Sequence, residues 1–308
     1  MHERARHPPI AFASSLPATR YIAYDSRRDA AVDGIEDTPS PASGERGATP
    51  PAVSLIRRVF KRIRGDLPSG YAPYSVRGGR IFLDLRESAN MLARALGHYE
   101  VEKMRMLERY LTAGSTFVDV GVNKGDFSIL AASLVGPQGR VLGFEPDPEN
   151  CMWTGRSISL NGYTNIRLFE LALCDEEGIA PLYLGEYSGH HSLIAGQPQR
   201  SGETREVRTR RLDDVLREEK VTRVDAIKID TEGAELAVLD GATRTLAETP
   251  DLLLLVDIHP PVTTGDVAKR IEPFGYHLFR PGDPPRPLAP SEDPASEICA
   301  SRHPLAQS

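Results

Sequence analysis

Residues 117–127 read FVDVGVNKGDF, an apolar run carrying one acid and followed by two glycines four apart. The run has the apolar, β-branched composition of a buried strand. Gly121 and Gly125 let the chain turn sharply and let a ligand approach the backbone with no Cβ in the way. A helix starting there presents free N–H groups to that ligand. The stretch therefore predicts strand, binding turn and helix, the first unit of an alternating α/β sheet.

The pattern repeats downstream. RVLGFE (140–145), NIRLFELAL (165–173), VDAIKID (224–230), LLLLVDI (252–258) and finally GYHLF (275–279) read as strands. Helical runs separate them: one to about Leu134, one through Met152, Ile158 and Leu160, GAELAVLDGATRTLA (233–247), and one around GDVAKRI. Upstream, RIFLDL reads as a short strand, and ESANMLARAL and YEVEKMRMLERYL as helices. Such alternation predicts a doubly wound, mostly parallel sheet with helices on both faces. It breaks between Glu177 and Arg211, where APLYLG and REVRTRR predict an inserted β-hairpin around a loop holding His190 and His191. Insertions of this kind often face the substrate.

Composition narrows the class. The 308 residues are 40% hydrophobic and 26% charged, with a net charge of -6. That balance argues against general nucleic-acid affinity, which needs a basic excess. Cys151, Cys174 and Cys299 lie far apart, which fits a reducing compartment and offers no metal motif. No apolar run reaches the roughly 20 residues of a membrane span. No secretory signal is visible, and the cytoplasm is the expected compartment. Residues 1–51 are rich in Pro, Ala, Arg, Ser and Gly, a composition expected to be disordered. Residues 52–96 are read as lead-in elements, 97–290 as the main domain and 291–308 as a tail. At 52–65, Val53, Ile56, Val59, Phe60 and Ile63 share a helical face, and Arg57, Arg58, Lys61, Arg62 and Arg64 cover the rest. Two readings stand: a helix packed on the body with a solvated basic face, or peripheral contact with an anionic membrane.

Open α/β sheets bind ligands beyond the carboxyl ends of their strands. The first strand ends in Asp119, Gly121, Asn123 and Gly125. The next ends in Glu145, twenty residues after Gly125, placed to accept hydrogen bonds from two ribose hydroxyls. An adenosine cofactor follows, either NAD or S-adenosylmethionine. The dinucleotide fingerprint G-x-G-x-x-G is missing, and Asp119 is a poor neighbour for a pyrophosphate. An acid there suits the ammonium of a methionine moiety, directly or through water. The pattern favours S-adenosylmethionine over an NAD-dependent oxidoreductase; a non-catalytic module that keeps the pocket is the third reading.

FVDVGVNKGDF, VLGFEPDPEN, LALCDEEG, RLDDVL and IKIDTEGAELAVLDGA, in this order and spacing, resemble FkbM-type methyltransferases. The resemblance covers roughly residues 97 to 280. It implies a Rossmann-like class I fold with a final antiparallel strand, and methyl transfer from S-adenosylmethionine to oxygen, often a sugar or polyketide hydroxyl. It further implies that Asp119, Gly121, Asn123 and Gly125 line the methionine and ribose side. Glu145 would hold the ribose, and Leu171 and Ala172 would border the adenine. Val122 stands where the family usually has alanine. Lys124, beside a cationic cofactor, is expected to point to solvent.

Methyl transfer to an alcohol needs alignment and a proton acceptor. Asp230 and Glu232 end the fourth strand, Asp257 and His259 end the fifth, and Glu235 stands one helical turn on. Asp230, Glu232 and His259 are the expected catalytic groups, with His191 from the insertion as a further base or substrate contact. Asp230, Glu232 and Asp257 are a candidate set for a divalent metal such as Mg²⁺. Bland readings stand beside these. Glu232 and Glu235 suit a helix N-terminus, and His259 precedes two prolines. Tyr99 and Glu100 either cover the cofactor or cap their helix, and Asp213 and Asp214 read as a helix cap and first-turn acid.

Overall fold

Helix α1 (Pro51–Ile63) lays Ile56 and Phe60 into an apolar cluster with Ile81, Leu83 and Met91. Its Arg57, Arg58, Lys61 and Arg62 stay exposed. Its contacts are those of a helix packed on the body with a solvated basic face. Strands β1 (Ala72–Val76) and β2 (Gly79–Leu83) form an antiparallel hairpin, followed by α2 (Ala89–Ala95). The computed structural model describes residues 51–195, 200–289 and 297–305. The disorder expected for 1–51 lies outside the described residues, except at Pro51, which opens α1. Among the described residues no helix is long and apolar enough to cross a membrane.

The main sheet assembles in chain order. Helix α3 (Val101–Tyr110) leads into β3 (Thr116–Val120), α4 (Asp126–Val135), β4 (Arg140–Glu145), α5 (Pro148–Asn161) and β5 (Ile166–Glu170). Asp147 accepts a hydrogen bond from the Asn150 N–H and, with Pro148 at the first turn, starts α5. The inserted segment contains β6 (Ala172–Leu173), β7 (Gly178–Gly185) and β8 (Arg200–Arg210), which form their own three-stranded sheet in the order β6-β8-β7. Then come α6 (Leu212–Glu218), β9 (Ala226–Ile229), α7 (Glu235–Asp240), α8 (Thr243–Glu248), β10 (Leu253–Asp257), α9 (Thr264–Ile271), β11 (His277–Arg280), β12 (Arg286–Pro287) and β13 (Glu297–Ser301).

The eight-stranded sheet has the order β12-β11-β13-β10-β9-β3-β4-β5. Strands β3, β4, β5, β9 and β10 run parallel; β13 is antiparallel to both β10 and β11. The chain leaves β3 toward β4 and returns to β9 on its other side. The crevice at that reversal is where such sheets hold ligands. The result is the expected doubly wound, Rossmann-like α/β fold with an antiparallel terminal strand and an inserted hairpin. Val118, Val120, Ile227, Ile229, Leu254 and Val256 anchor its largest apolar core.

Four expectations need correction. Glu297–Ser301 forms an antiparallel strand between β10 and β11, so the domain runs past 290 and the expected tail is part of the sheet. The lead-in is no separate unit either, since all described residues belong to one unit, Gly44–Ser308. Its β2 is tied to α5 through Asn161 Oδ1, which accepts from Arg80 N at 2.9 Å, and Ser157 Oγ, which accepts from Phe82 N at 3.0 Å. The run 165–173 breaks at Leu171, and its end pairs with β8 instead of the main sheet. The run 233–247 is two helices that part at Gly241 and Ala242, where a Cβ on Gly241 would lie 2.2 Å from the Cys174 carbonyl oxygen.

Candidate active site

A cleft opens at the carboxyl ends of the parallel strands, where open α/β sheets hold their ligands. Its floor is Val120, Gly121 and Asn123 after β3, with Phe144, Glu145 and Pro146 from β4. Ala172, Leu173 and Leu182 give an apolar wall, and Ser188, Gly189, His191, Ser192 and Leu193 of the insertion cover it. Asp230, Thr231, Glu232 and Ala234 after β9 form the opposite side. The insertion thus faces the cleft, tied there by Ser192 Oγ, which donates to the Glu232 carbonyl at 2.6 Å.

The turn after β3 depends on its glycines and on Asn123. Gly121, Asn123 and Gly125 have φ of 81°, 52° and 91°, the left-handed region that glycine enters freely and asparagine tolerates. A Cβ on Gly121 would sit 1.9 Å from the Asp230 carbonyl oxygen. That close approach brings the loops after β3 and β9 to one place. Glu145, 4% exposed, ties the turn to β4: its Oε2 accepts from the Asn123 N–H at 2.8 Å and its Oε1 from the Asp147 N–H at 3.0 Å. Burial pushes its carboxyl up to about 7 despite those two hydrogen bonds. Asp119 lies beneath the floor, buried, with Oδ2 accepting from Ser128 Oγ at 2.6 Å. Burial pushes it up to about 6, against the pull of Lys228 and Ser128. Its Oδ1 and the Asn123 Oδ1 are buried acceptors with no donor among the described residues. Of the pair expected at the adenine, Ala172 lines the cleft, and Leu171 packs into the main core.

Lys124 does not point to solvent. It is 1% exposed, with Nζ donating to Tyr71 Oη at 2.8 Å and Asn150 Oδ1 at 3.0 Å, and standing 3.4 Å from Glu87 Oε2. Glu87 also accepts from the Ser188 N–H at 2.9 Å. One lysine therefore connects the cofactor turn, the lead-in segment and, through Glu87, the insertion. Its charge is balanced away from the cleft.

Asp230, Glu232 and His259 lie together, with Glu235 behind the imidazole. His259 Nδ1 lies 3.1 Å from Glu235 Oε1, and its Nε2 lies 3.7 Å from Glu232 Oε1 and 3.9 Å from Asp230 Oδ1. Burial acts to lower the imidazole pKa, but the Glu235 hydrogen bond and the carboxylates of Asp230 and Glu232 outweigh it and raise it to about 10. For Asp230, burial acts upward and is overcome by Lys228, 3.1 Å from its Oδ2, and by His259 and Lys103; its carboxyl sits well below the usual range. Asp257 groups with Asp230 and Glu100, not with Glu232. It pairs with the buried Lys103, which also holds Glu100 at 2.8 Å and Glu297 of β13 at 3.4 Å. His259 takes its place beside Asp230 and Glu232.

The remaining candidates sort by geometry. His191 lines the cleft, and its Nδ1 accepts from the Gly185 N–H at 3.0 Å. Glu100 belongs to the Lys103 network behind Asp230, and Tyr99 stacks under the Arg94 guanidinium at 3.6 Å, so neither covers the cleft. Asp213 caps α8 and not its own helix, accepting from the Arg244 and Thr245 N–H groups at 2.7 and 3.0 Å. Sequence reasoning missed Lys103, Lys228 and Ser192; Lys228, two residues before Asp230 in a buried strand, carried a signal that the acid would be paired.

The methyltransferase FkbM domain matches residues 119–278. Among curated proteins, the methyltransferase sdnD of Sordaria araneosa is 30% identical over 199 residues, covering 55% of this chain and 76% of that one. The 2-O-methyltransferase NoeI of Sinorhizobium fredii is 26% identical over 185 residues, covering 54% of this chain and 72% of that one. A solved structure of a methyltransferase FkbM from Methylobacillus flagellatus aligns with a TM-score of 0.43 at 15% identity, covering 81% of this chain and 59% of that one.

Proposed function

The chain belongs to the FkbM methyltransferase family, and on that premise we propose that it is an S-adenosylmethionine-dependent O-methyltransferase for a hydroxyl of a small-molecule or glycan acceptor. Membership replaces the oxidoreductase alternative. The observation that carries the reading is that Glu145 and Asp230 line one cleft from the carboxyl ends of β4 and β9, the parallel strands on either side of β3.

The residues fit the cofactor. Glu145 keeps lone pairs for two ribose hydroxyls, and the orphaned Asp119 Oδ1 and Asn123 Oδ1 await donors such as an ammonium or a water bound to it. Phe144, Ala172, Leu173 and Leu182 offer an apolar slot for a base. When bound, S-adenosylmethionine supplies an electrophilic methyl group on a sulfonium. Asp230, Glu232 and His259 hold the acceptor hydroxyl on the opposite side and orient it for in-line attack. The oxygen–methyl bond forms as the sulfur–methyl bond breaks, and the hydroxyl proton passes to a carboxylate of Asp230 or Glu232. His191, reaching from the insertion, lines the acceptor side and contacts the substrate. Oxygen as the methyl-accepting atom is supported by the relative named as a 2-O-methyltransferase.

The test is transfer of a tritium-labelled methyl group to a panel of sugar and polyketide alcohols. The expected product is an ether, stable to mild base. Asp230→Asn should abolish transfer while cofactor affinity stays within a few-fold. A base-labile ester, an N-methyl product, or near-normal turnover in that variant would contradict the reading.

A further inference from the structure

We propose that Asp230, Glu232 and His259 form a divalent-cation site on the acceptor side of the cleft. One donor atom from each lies within 4.8 Å of the others. His259 Nε2 stands 3.7 Å from Glu232 Oε1 and 3.9 Å from Asp230 Oδ1, beyond hydrogen-bonding distance for either. Ligands about 2.1 Å from a shared ion lie roughly 3–4 Å from one another. Both separations from the imidazole nitrogen therefore fall in the range of donors around one cation, and all three donors fit within 4.8 Å.

A second observation comes from the other side of the ring. Glu235 has no solvent exposure and meets His259 Nδ1 at 3.1 Å. The same Oε1 is fixed by the Gly233 N–H at 2.9 Å. With Nδ1–H donated to this carboxylate, Nε2 faces Asp230 and Glu232, and a cation that displaces its proton would take the lone pair there. A buried carboxylate behind an imidazole whose far nitrogen faces two further carboxylates is the outer-shell arrangement of a metal-bound histidine. The frame beneath is rigid. The Asp230 N–H is bonded to the Val120 carbonyl at 3.0 Å, and Glu232 is held at a φ of 54°.

Two carboxylates and one imidazole, with no thiolate, favour a hard or borderline ion such as Mn²⁺ or Mg²⁺ over soft metals. Three protein donors leave positions open toward the cleft. An acceptor with adjacent oxygens, a vicinal diol or a hydroxyl beside a carbonyl, fills two of them, and the ion lowers the pKa of the bound hydroxyl. The inference rests on the methyl-transfer reading and names its acceptor class.

The test titrates the metal-stripped full chain with Mn²⁺, following free Mn²⁺ by electron paramagnetic resonance. One Mn²⁺ per chain is expected, with pulsed-resonance modulation from an imidazole nitrogen. His259→Ala and Glu232→Gln should each weaken binding at least about tenfold, and Glu235→Gln by about 10–100-fold through the outer shell. His277→Ala, an exposed histidine on β11, should leave it unchanged, and circular dichroism checks that each variant is folded. Absence of saturable Mn²⁺ binding, or equal binding in folded His259→Ala and Glu232→Gln proteins, overturns the proposal. A parallel S-adenosylmethionine titration in EDTA separates the two claims. Cofactor binding without Mn²⁺ binding overturns the cation site alone, and binding of neither overturns both.

Discussion

A Cβ on Gly121 would lie 1.9 Å from the carbonyl oxygen of Asp230, so the cofactor turn and the acceptor loop touch through backbone at a point where no side chain fits. Gly121 also has φ at 81°. Gly121→Ala is therefore expected to cost on the order of 2–4 kcal/mol in chemical denaturation, through a clash and a disfavoured backbone conformation together. It should also displace Asp230 from the cleft.

Lys124 provides a test of burial against appearance. Lys124→Met removes the donor shared by Tyr71 and Asn150 and the countercharge of Glu87. Buried polar groups left without partners cost about 1–3 kcal/mol each and more when charged. A loss of about 3 kcal/mol in urea is expected, whereas a surface lysine would give less than about 0.5 kcal/mol.

The lead-in helix makes a paired prediction. Phe60→Ala should cost about 3 kcal/mol, because the ring packs with Ile81, Leu83 and Met91. Arg58→Ala, on the solvated face, should stay within about 0.5 kcal/mol. Equal costs would mean that α1 is not seated as described.

Cofactor affinity should depend on pH with a definite sign. Burial raises Glu145 to about 7 and Asp119 to about 6 in the free protein. A ribose hydroxyl or an ammonium donates best to an ionised carboxylate, so affinity should rise with pH through both values, by up to about tenfold per pH unit for each group. Glu145→Gln should remove the component near 7 and leave the one near 6. Stability of the free protein runs the other way. The folded pKa of Glu145 lies above its ordinary 4.5, so the native state holds the proton more tightly. Its contribution to stability is lost as pH rises from about 4.5 to about 7.

The sequence made the frame legible and left the pairings out of view. The run 117–127, the acid ending RVLGFE and the acids after VDAIKID fall where strand-end logic puts them, because alternation and glycine spacing are local signals. Lys124 was misread because its partners Tyr71 and Asn150 lie 53 and 26 residues away. The pairing of Asp257 with Lys103, 154 residues away in sequence, was likewise out of view. Glu235 and His259 were each visible, but only the fold shows that one orients the other. Strand β13 was hidden because EICAS is short and follows a proline-rich stretch, and its place between β10 and β11 is set by the sheet.

The central claim is that this cleft holds S-adenosylmethionine against Glu145. Calorimetric titration of the purified chain with S-adenosylmethionine, for wild type and Glu145→Ala, tests it without knowing the acceptor. The account predicts one saturable site per chain, weakened at least tenfold in a Glu145→Ala protein that keeps its circular dichroism spectrum, a loss of roughly 1.4 kcal/mol or more. No saturable binding in the wild type, or equal affinity in the variant, would contradict it.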